Sequence, residues 1–280
     1  MSESLNSTDL SVGIVMRTKN RSVLLRRAIE SVLNQRYQNW ILVIVNDGGN
    51  PDEVDMLFER YKDSFKDRCK LIHNKFSLGM EAASNLGLNA LSTDMGVIHD
   101  DDDSWAPEFL SRMISIYNLE KIKVPIRGIV CYCHKIFETT TGNIINIVKL
   151  ENYNQHISPG ILSMARMINS NIMPPICFMF DLSICKKIGM YDESLPVLGD
   201  WDFHIRYMME SDIWMIPESL AFYHHRVNAT GDMGNSVNAG LAKHITYRKI
   251  LENKWLRNDI KNAKIGIGSL LALTRWDSNN

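Results

Sequence analysis

The sequence predicts an α/β protein: a mainly parallel sheet flanked by helices, with a small antiparallel portion and a helical C-terminal tail. Three observations carry that expectation. Strand-type and helix-type hydrophobic patterns alternate from residue 12 to about residue 119. The run 40–45 is apolar and rich in β-branched residues without polar alternation, the mark of a strand buried on both faces of a parallel sheet. After about Arg127 the alternation gives way to a hairpin and shorter elements.

Residues 12–16 read as a short strand that ends in Arg17-Thr18-Lys19-Asn20. Ser22 reads as an N-cap, and Leu25, Ala28, Ile29 and Val32 follow at i, i+3, i+4 and i+7, one face of an amphipathic helix. The strand 40–45 stops at the turn Asn46-Asp47-Gly48-Gly49. Pro51 suits the first position of a helix, whose inner face is Val54, Leu57, Phe58 and Tyr61. A weaker strand over 70–73, a helix over 80–91 and a strand over 95–99 follow. That last strand runs into Asp100-Asp101-Asp102-Asp103, and Pro107 opens a helix to about Leu119. Beyond it, 128–138 and 144–150 flank the turn Thr140-Thr141-Gly142-Asn143 as an antiparallel hairpin. Residues 151–175 form a loop with a helix near 161–168. Then come a strand-like 176–180, helices over 183–188 and 200–209, short strands over 213–216 and 220–225, and tail helices over 240–256 and 265–273.

Composition narrows the function. A formal net charge of -1, with 45% hydrophobic and 22% charged residues, fits a soluble globular protein and excludes wholesale disorder. It also lacks the basic excess of a dedicated nucleic-acid binder. No apolar run is long enough to span a membrane, and residues 1–11 lack the layout of a signal peptide. The five cysteines are odd in number and form no C-x-x-C pair, so free thiols in a reducing, cytoplasmic setting are expected, with no zinc site.

Ligands of open α/β sheets bind beyond the carboxyl ends of the strands. Three polar clusters fall there: Thr18 with Asn20, Asp47, and the aspartate run. Along an extended strand end Asp100 and Asp102 face one way, Asp101 and Asp103 the other. Two carboxylates ~5 Å apart repel by roughly 3 kcal/mol at an effective dielectric near 20, so a cation, basic side chains or solvent must screen the run. One reading is an acidic turn with Asp103 or Ser104 capping the helix after Pro107. The other is a hard divalent cation, which takes oxygen ligands and binds phosphates as well. Asp47 has two readings too: a turn residue, or an acceptor for the imide N–H of a pyrimidine base.

Taken together, Val15-Met16-Arg17-Thr18-Lys19-Asn20-Arg21, Ser31-Val32-Leu33-Asn34-Gln35, Val45-Asn46-Asp47-Gly48-Gly49, Gly79 with Ala83 and Asn85, and Asp100–Asp103 with Pro107 resemble glycosyltransferase family 2. The resemblance covers roughly residues 11–226, and its specificity lies in the ordered set of motifs. It implies the GT-A fold and inverting transfer from a nucleotide-diphosphate sugar, with Mn2+ or Mg2+ as cofactor. By the same resemblance Thr18, Asn20 and Asp47 hold the base, and Asn85 and Arg226 are further nucleotide contacts. Asp100 contacts ribose and metal, Asp102 contacts the metal directly, and His224 or His225 serves the metal or the diphosphate. Asp200 is the implied catalytic base, with Trp201 and Asp202 on the acceptor side. Two positions depart from the family pattern: Ser84 stands where an Arg is frequent, and Gly199 where a Glu commonly precedes the Asp.

Physical reasoning on the late residues separates their roles. Asp200 and Asp202 can cap a helix and favour its dipole, and Asp202 lies four residues before Arg206, the spacing of an intrahelical ion pair. Asp202 is therefore read as structural and Asp200 as chemical. Trp201 and Phe203 suit the core, although Trp201 could stack on a sugar. His224 and His225 lie on opposite faces of a strand, so at most one reaches the cleft. Arg226 is either a surface residue or a diphosphate clamp.

The resulting division is a polar extension over 1–10, a nucleotide-sugar-binding half over 11–127, an acceptor and catalytic-base half over 128–230, and a tail over 231–280. The expected activity moves a sugar from a UDP or dTDP donor to a glycan or lipid-linked acceptor in polysaccharide biosynthesis. The chain could form one module of a larger glycosyltransferase. Lys254, Arg257, Lys261 and Lys264 precede the apolar 265–273, a pattern that would also suit peripheral contact with the inner face of the cell membrane. Two other classes remain open. A nucleotidyltransferase would need a Gly-rich phosphate loop that 17–21 lacks, and a non-catalytic glycan-binding module would account for the two departures.

Overall fold

The computed structural model describes residues 9–141, 144–227, 229, 231–234 and 241–276. Residues 1–8 of the expected extension, Gly142 and Asn143 of the expected turn, and Gly240 at the head of the tail lie outside them.

The first half alternates as the periodicity predicts: β1 (Val12–Thr18), α1 (Ser22–Leu33), β2 (Trp40–Asp47), α2 (Pro51–Phe65), β3 (Cys69–Asn74), α3 (Met80–Asn89), β4 (Met95–Ile98), β5 (Ser104–Trp105) and α4 (Phe109–Glu120). The second half holds β6 (Ile126–Thr141), β7 (Ile144–Asn152), β8 (Gly160–Ile161), α5 (Met164–Asn169), β9 (Phe178–Asp181), α6 (Leu182–Lys187), α7 (Gly199–Met208) and β10 (Asp212–Arg226). The tail is α8 (Leu241–Lys261) and α9 (Ile267–Trp276).

All the strands join one sheet in the order β3-β2-β1-β4-β9-β6-β10-β5, with β7 added beside β6 and β8 beside β10. β3, β2, β1 and β4 run parallel, as do β6 and β10, whereas β9 is antiparallel to both of its neighbours. The register sets Val15 opposite both Val43 and Ile98. The carboxyl ends of β1, β2 and β4 therefore meet along one edge, where Thr18, Asp47 and the aspartate run lie. Leu42 to Val45 have no exposed surface, which explains their unbroken apolar run. Leu25, Ala28, Ile29 and Val32 are fully buried on the inner face of α1.

Three local expectations are corrected. Arg21, not Ser22, is the residue before α1, and no side chain caps that helix. Neither Asp103 nor Ser104 caps α4, which begins at Phe109, because Ser104 is drawn into β5 beside β10. The two short strands over 213–225 are one strand, β10, with register shifts flanking Ser219. Pro217 lies at that break and has no N–H for the ladder, so a local reading sees two strands where the sheet continues through an irregularity.

The tail packs against the domain. Trp255 meets Trp201 edge to face at 5.3 Å between ring centroids, and Leu251 and Leu271 are buried. The Asp259 carboxylate accepts the backbone N–H groups of Gly266 and Ser269 and so caps α9. Ile265 and Leu273 stay exposed. Among the described residues, no helix is long and apolar enough to cross a membrane.

Candidate active site

A cavity of about 390 Å³ opens at the carboxyl edge of β1, β2 and β4. Thr18, Asp47, Glu81, Asp100, Asp102 and Asp200 all border it. Tyr223 from β10 and His244 from α8 complete one side. Groups more than a hundred residues apart thus share one space.

The aspartate run alternates as expected, although its backbone forms a turn. Asp100 and Asp102 face the cavity, while Asp101 and Asp103 are fully buried behind it. Basic side chains screen the run. Arg17 donates to Asp100 at 2.6 Å, Arg21 lies 2.5 Å from Asp101 and 3.2 Å from Asp102, and Arg226 donates to Asp102 at 2.6 Å. Arg27 reaches the backbone carbonyl of Asp102 and pairs with Glu138 at 2.7 Å. Burial raises the pKa of Asp102, yet the attraction of Arg21 and Arg226 prevails and holds it below the usual carboxylate range. Burial pushes Asp101 up to about 6, although Arg21 opposes it. Asp102, on the side of the run that faces the cavity, is therefore held in its ionised form.

Asp47 sits at the cavity's other end. Its two oxygens accept from Asn74 Nδ2, Ser77 Oγ and the backbone N–H groups of Leu78 and Gly79, at 2.7–3.0 Å. Four donors fill a carboxylate's lone-pair sites, so Asp47 holds the loop 74–79 in place against β2. Gly48 allows the close approach: its φ is +72°, and a Cβ there would lie 2.3 Å from Ser77 N. Replacing Asp47 by Ala removes two acceptor oxygens and four hydrogen bonds at once. The expected cost is about 2–4 kcal/mol of stability, read by thermal melting. An unchanged melting temperature would show that the loop holds itself.

Asp200 enters at the first turn of α7. Its Oδ1 accepts from Trp201 N at 2.8 Å and its Oδ2 from Asn171 Nδ2 at 2.6 Å. Asn171 Oδ1 in turn lies 3.2 Å from His204 Nδ1. A carboxylate fixed by an amide that is itself fixed by an imidazole has the arrangement of an oriented base. Burial raises the pKa of Asp200, which strengthens it as a proton acceptor.

His204 is fully buried, and burial pushes its pKa down to about 3 from an ordinary 6.5. It stays neutral in the fold, whereas the unfolded chain takes up a proton as the pH falls through 6.5. Stability tied to this ring is therefore complete above pH 6.5 and is lost below it, on the order of 3 kcal/mol by pH 4. His204→Phe is expected to flatten the acid limb of the melting temperature between pH 7 and 4. A limb as steep as the wild type's would rule this ring out as a source.

The structure places the other expected residues as follows. Asn20, at φ 53°, accepts from Asn50 N and ties the loop after β1 to the start of α2. Asn85 does not border the cavity. It clamps the 191–193 segment, with its Oδ1 accepting from Tyr191 N and its Nδ2 donating to Tyr191 O and Glu193. Asp202 makes the i,i+4 pair with Arg206 at 2.7 Å. Trp201 is 1% exposed and donates to Met167 O, so it lies in the core beneath the tail. Both ring nitrogens of His224 are engaged within the protein, Nε2 by Ser104 at 2.9 Å and Nδ1 by Glu138 at 2.8 Å. His225 lies on the other face of β10, against Tyr223 at 4.3 Å between ring centroids. Among the described residues its Nε2 has no hydrogen-bond partner, and burial pushes its pKa down to about 4.

Sequence reasoning left several site residues without a role: Arg17, Arg21, Arg27, Glu81, Glu138 and Asn171. Arg17 and Arg21 had a legible signal, since basic residues end β1 beside a strand that ends in four aspartates. Glu81 is buried, and burial pushes its pKa up to about 7 against the attraction of Arg17, with Asp200 adding to the rise.

Among the described residues no three His, Cys, Asp or Glu side chains converge as a metal cage. Asp100 and Asp102 nevertheless present carboxylate to one cavity. Hard cations such as Mg2+ are commonly held by one or two carboxylates, with substrate phosphates and water completing the shell. The residues present fit an ion bridged to a bound diphosphate.

A mainly parallel sheet with helices on both faces, an antiparallel strand inserted between its halves and carboxylates gathered at its strand ends defines the GT-A class of fold. Residues 13–189 match the family model of glycosyl transferase family 2, and the chain belongs to that family. An uncharacterized glycosyltransferase of Rickettsia prowazekii is 26% identical over 216 residues, covering 75% of this chain and 62% of the relative. The putative colanic acid biosynthesis glycosyl transferase WcaA of Escherichia coli is 37% identical over 101 residues, 36% of this chain and 35% of the relative. The structure of S. aureus TarS 1–349 in complex with UDP-GlcNAc shares the fold, with a TM-score of 0.59 at 13% identity over 79% of this chain and 60% of TarS. The chain thus spans less than two thirds of the length of each.

Proposed function

We propose that this chain transfers a sugar from a nucleoside-diphosphate donor to a hydroxyl of a glycan or lipid-linked acceptor, with inversion at the anomeric carbon. One observation carries the reading: Asp100 and Asp102 at the end of β4 and the oriented Asp200 of α7 come from separate elements and border the same cavity. UDP is the favoured nucleotide, since TarS binds a UDP sugar on the same fold. Polysaccharide biosynthesis is the favoured setting, by the name of WcaA. Asp47 acts through the 74–79 loop, which with Thr18 frames the base end of the cavity. Arg21, which borders the cavity beside Asp102, would offer positive charge to a diphosphate, with the buried Arg226 behind Asp102 adding to it. Asp102 and Asp100 would hold Mn2+ or Mg2+; neither His224 nor His225 borders the cavity, and His225 is the one whose ring nitrogen lacks a partner among the described residues. Such an ion supplies Lewis-acid stabilisation of the departing diphosphate, worth several kcal/mol.

Asp200 takes the proton of the attacking hydroxyl as its oxygen bonds to the anomeric carbon. The bond from that carbon to the diphosphate breaks, and a nucleoside diphosphate leaves. One displacement with one base inverts the centre. The experiment is product analysis after incubation with UDP-glucose, UDP-galactose, UDP-GlcNAc and dTDP-glucose, each with Mn2+ and simple glycoside acceptors. Nucleoside diphosphate is the expected product. Pyrophosphate would mean nucleotidyl transfer instead, and no binding of any nucleotide sugar would remove the donor reading.

A further inference from the structure

Glu81 has no part in the reaction just outlined, yet it borders the cavity and is only 5% exposed. It stands in the first turn of α3, and its carboxyl lies over the backbone of Gly199. A Cβ built at Gly199 would fall 2.3 Å from Glu81 Oε1, 2.5 Å from Cγ and 2.7 Å from Cδ. No side chain longer than glycine's fits at 199 while Glu81 keeps this position. The missing side chain on α7 is thus the space through which α3 delivers a carboxyl next to Asp200.

Among the described residues no side chain hydrogen-bonds the carboxyl so delivered. Arg17 is close enough to attract Glu81, whose carboxyl accepts its own backbone N–H, but Arg17 spends its donors on Ser84 and Asp100. A buried carboxyl with a single donor leaves most of its acceptor sites unfilled, which is unfavourable, and Glu81 borders the same cavity as Asp200. A sugar ring held with its anomeric carbon between the aspartates and Asp200 would bring hydroxyl donors to this wall. We propose that Glu81, admitted by Gly199, binds hydroxyls of the transferred sugar and helps select which sugar is transferred. The proposal rests on the donor reading above.

Calorimetry with UDP, UDP-glucose, UDP-galactose and UDP-GlcNAc, each with Mn2+, tests it on wild type, E81A, E81Q, G199A and the double variant E81A/G199E. E81A is expected to weaken binding of the UDP-hexose that wild type prefers by at least tenfold, with UDP itself within twofold. G199A should act in the same direction, because its methyl displaces the Glu81 carboxyl. E81A/G199E returns a carboxyl to the same space from the other helix and should recover at least threefold. E81Q preserves the packing and should still weaken the UDP-hexose, so a fold lost in E81A leaves the test standing. UDP-hexose affinity within twofold of wild type in both E81A and E81Q overturns the proposal and leaves the donor reading intact. Equal losses for UDP and the UDP-hexose overturn it too, since they mark a structural strut. A wild-type chain that binds neither UDP nor any of the three sugars overturns both.

Discussion

Asp200→Asn is expected to abolish sugar transfer, by a factor of about 10² to 10⁴ or more, while UDP binding stays within twofold. The substitution removes the proton acceptor and little else. Asp200 contacts Trp201 N and Asn171, neither of them at the nucleotide end of the cavity. The new amide can keep both bonds, because its neighbours can reverse together. Asn171 would turn its carbonyl toward position 200 and its amide toward His204, whose neutral ring can change tautomer. Fold and cavity survive and the base does not. UDP release from a UDP-hexose gives the rate, and calorimetry with UDP gives the binding. Wild-type turnover in this variant would mean that Asp200 is not the base. The pH profile gives a second reading: burial raises the pKa of Asp200, so turnover should fall as the pH drops through that raised value and the acceptor becomes protonated.

The parts of this molecule legible in the sequence are those set by local pattern. Parallel strands buried on both faces must be apolar throughout, so β1, β2 and β4 stand out, and the polar residues that end them mark the edge where a ligand binds. β10 was legible only in pieces because Pro217 interrupts its ladder locally, whereas β6 beside it spans the break. The aspartate run announced a charge problem but not its solution. Cation, arginines and solvent are equivalent on paper, and only the fold brings Arg17, Arg21, Arg27 and Arg226 from three separate segments to one turn.

The two departures from the family pattern follow the same logic. Ser84 leaves room for the guanidinium of Arg17, which donates to its hydroxyl at 2.8 Å and reaches Asp100 from there. Gly199 leaves room for Glu81. A guanidinium and a carboxyl therefore stand beside the two positions that lack them, each supplied by another element. Spacing within a segment cannot show a replacement of that kind, since it appears as two losses in one place and two unremarked residues elsewhere.

On the proposed metal role, Mn2+ should raise the UDP affinity of the wild type tenfold or more, and Asp102→Asn should lose that gain, with metal-free affinity within threefold. The choice of Asn matters. Asp102 neutralises Arg226, whose side chain has no exposed surface, and removing one partner of a buried pair costs about 3–5 kcal/mol. Asp102→Ala would thus mix loss of stability with loss of binding, whereas Asn lessens that loss: it keeps an acceptor oxygen for the guanidinium, and Glu138, 4.0 Å away, still opposes its charge. The arginines sharpen the test. They already screen the aspartates, so holding the run together does not require an ion, and the benefit of one lies at the diphosphate. Mn2+ should therefore strengthen UDP, which carries the diphosphate, and leave uridine unaffected. Titrations of both ligands with and without Mn2+ measure the difference directly. If wild type binds UDP equally well in both conditions, Asp102 serves as the counterion of Arg21 and Arg226, and the arginines alone carry the diphosphate.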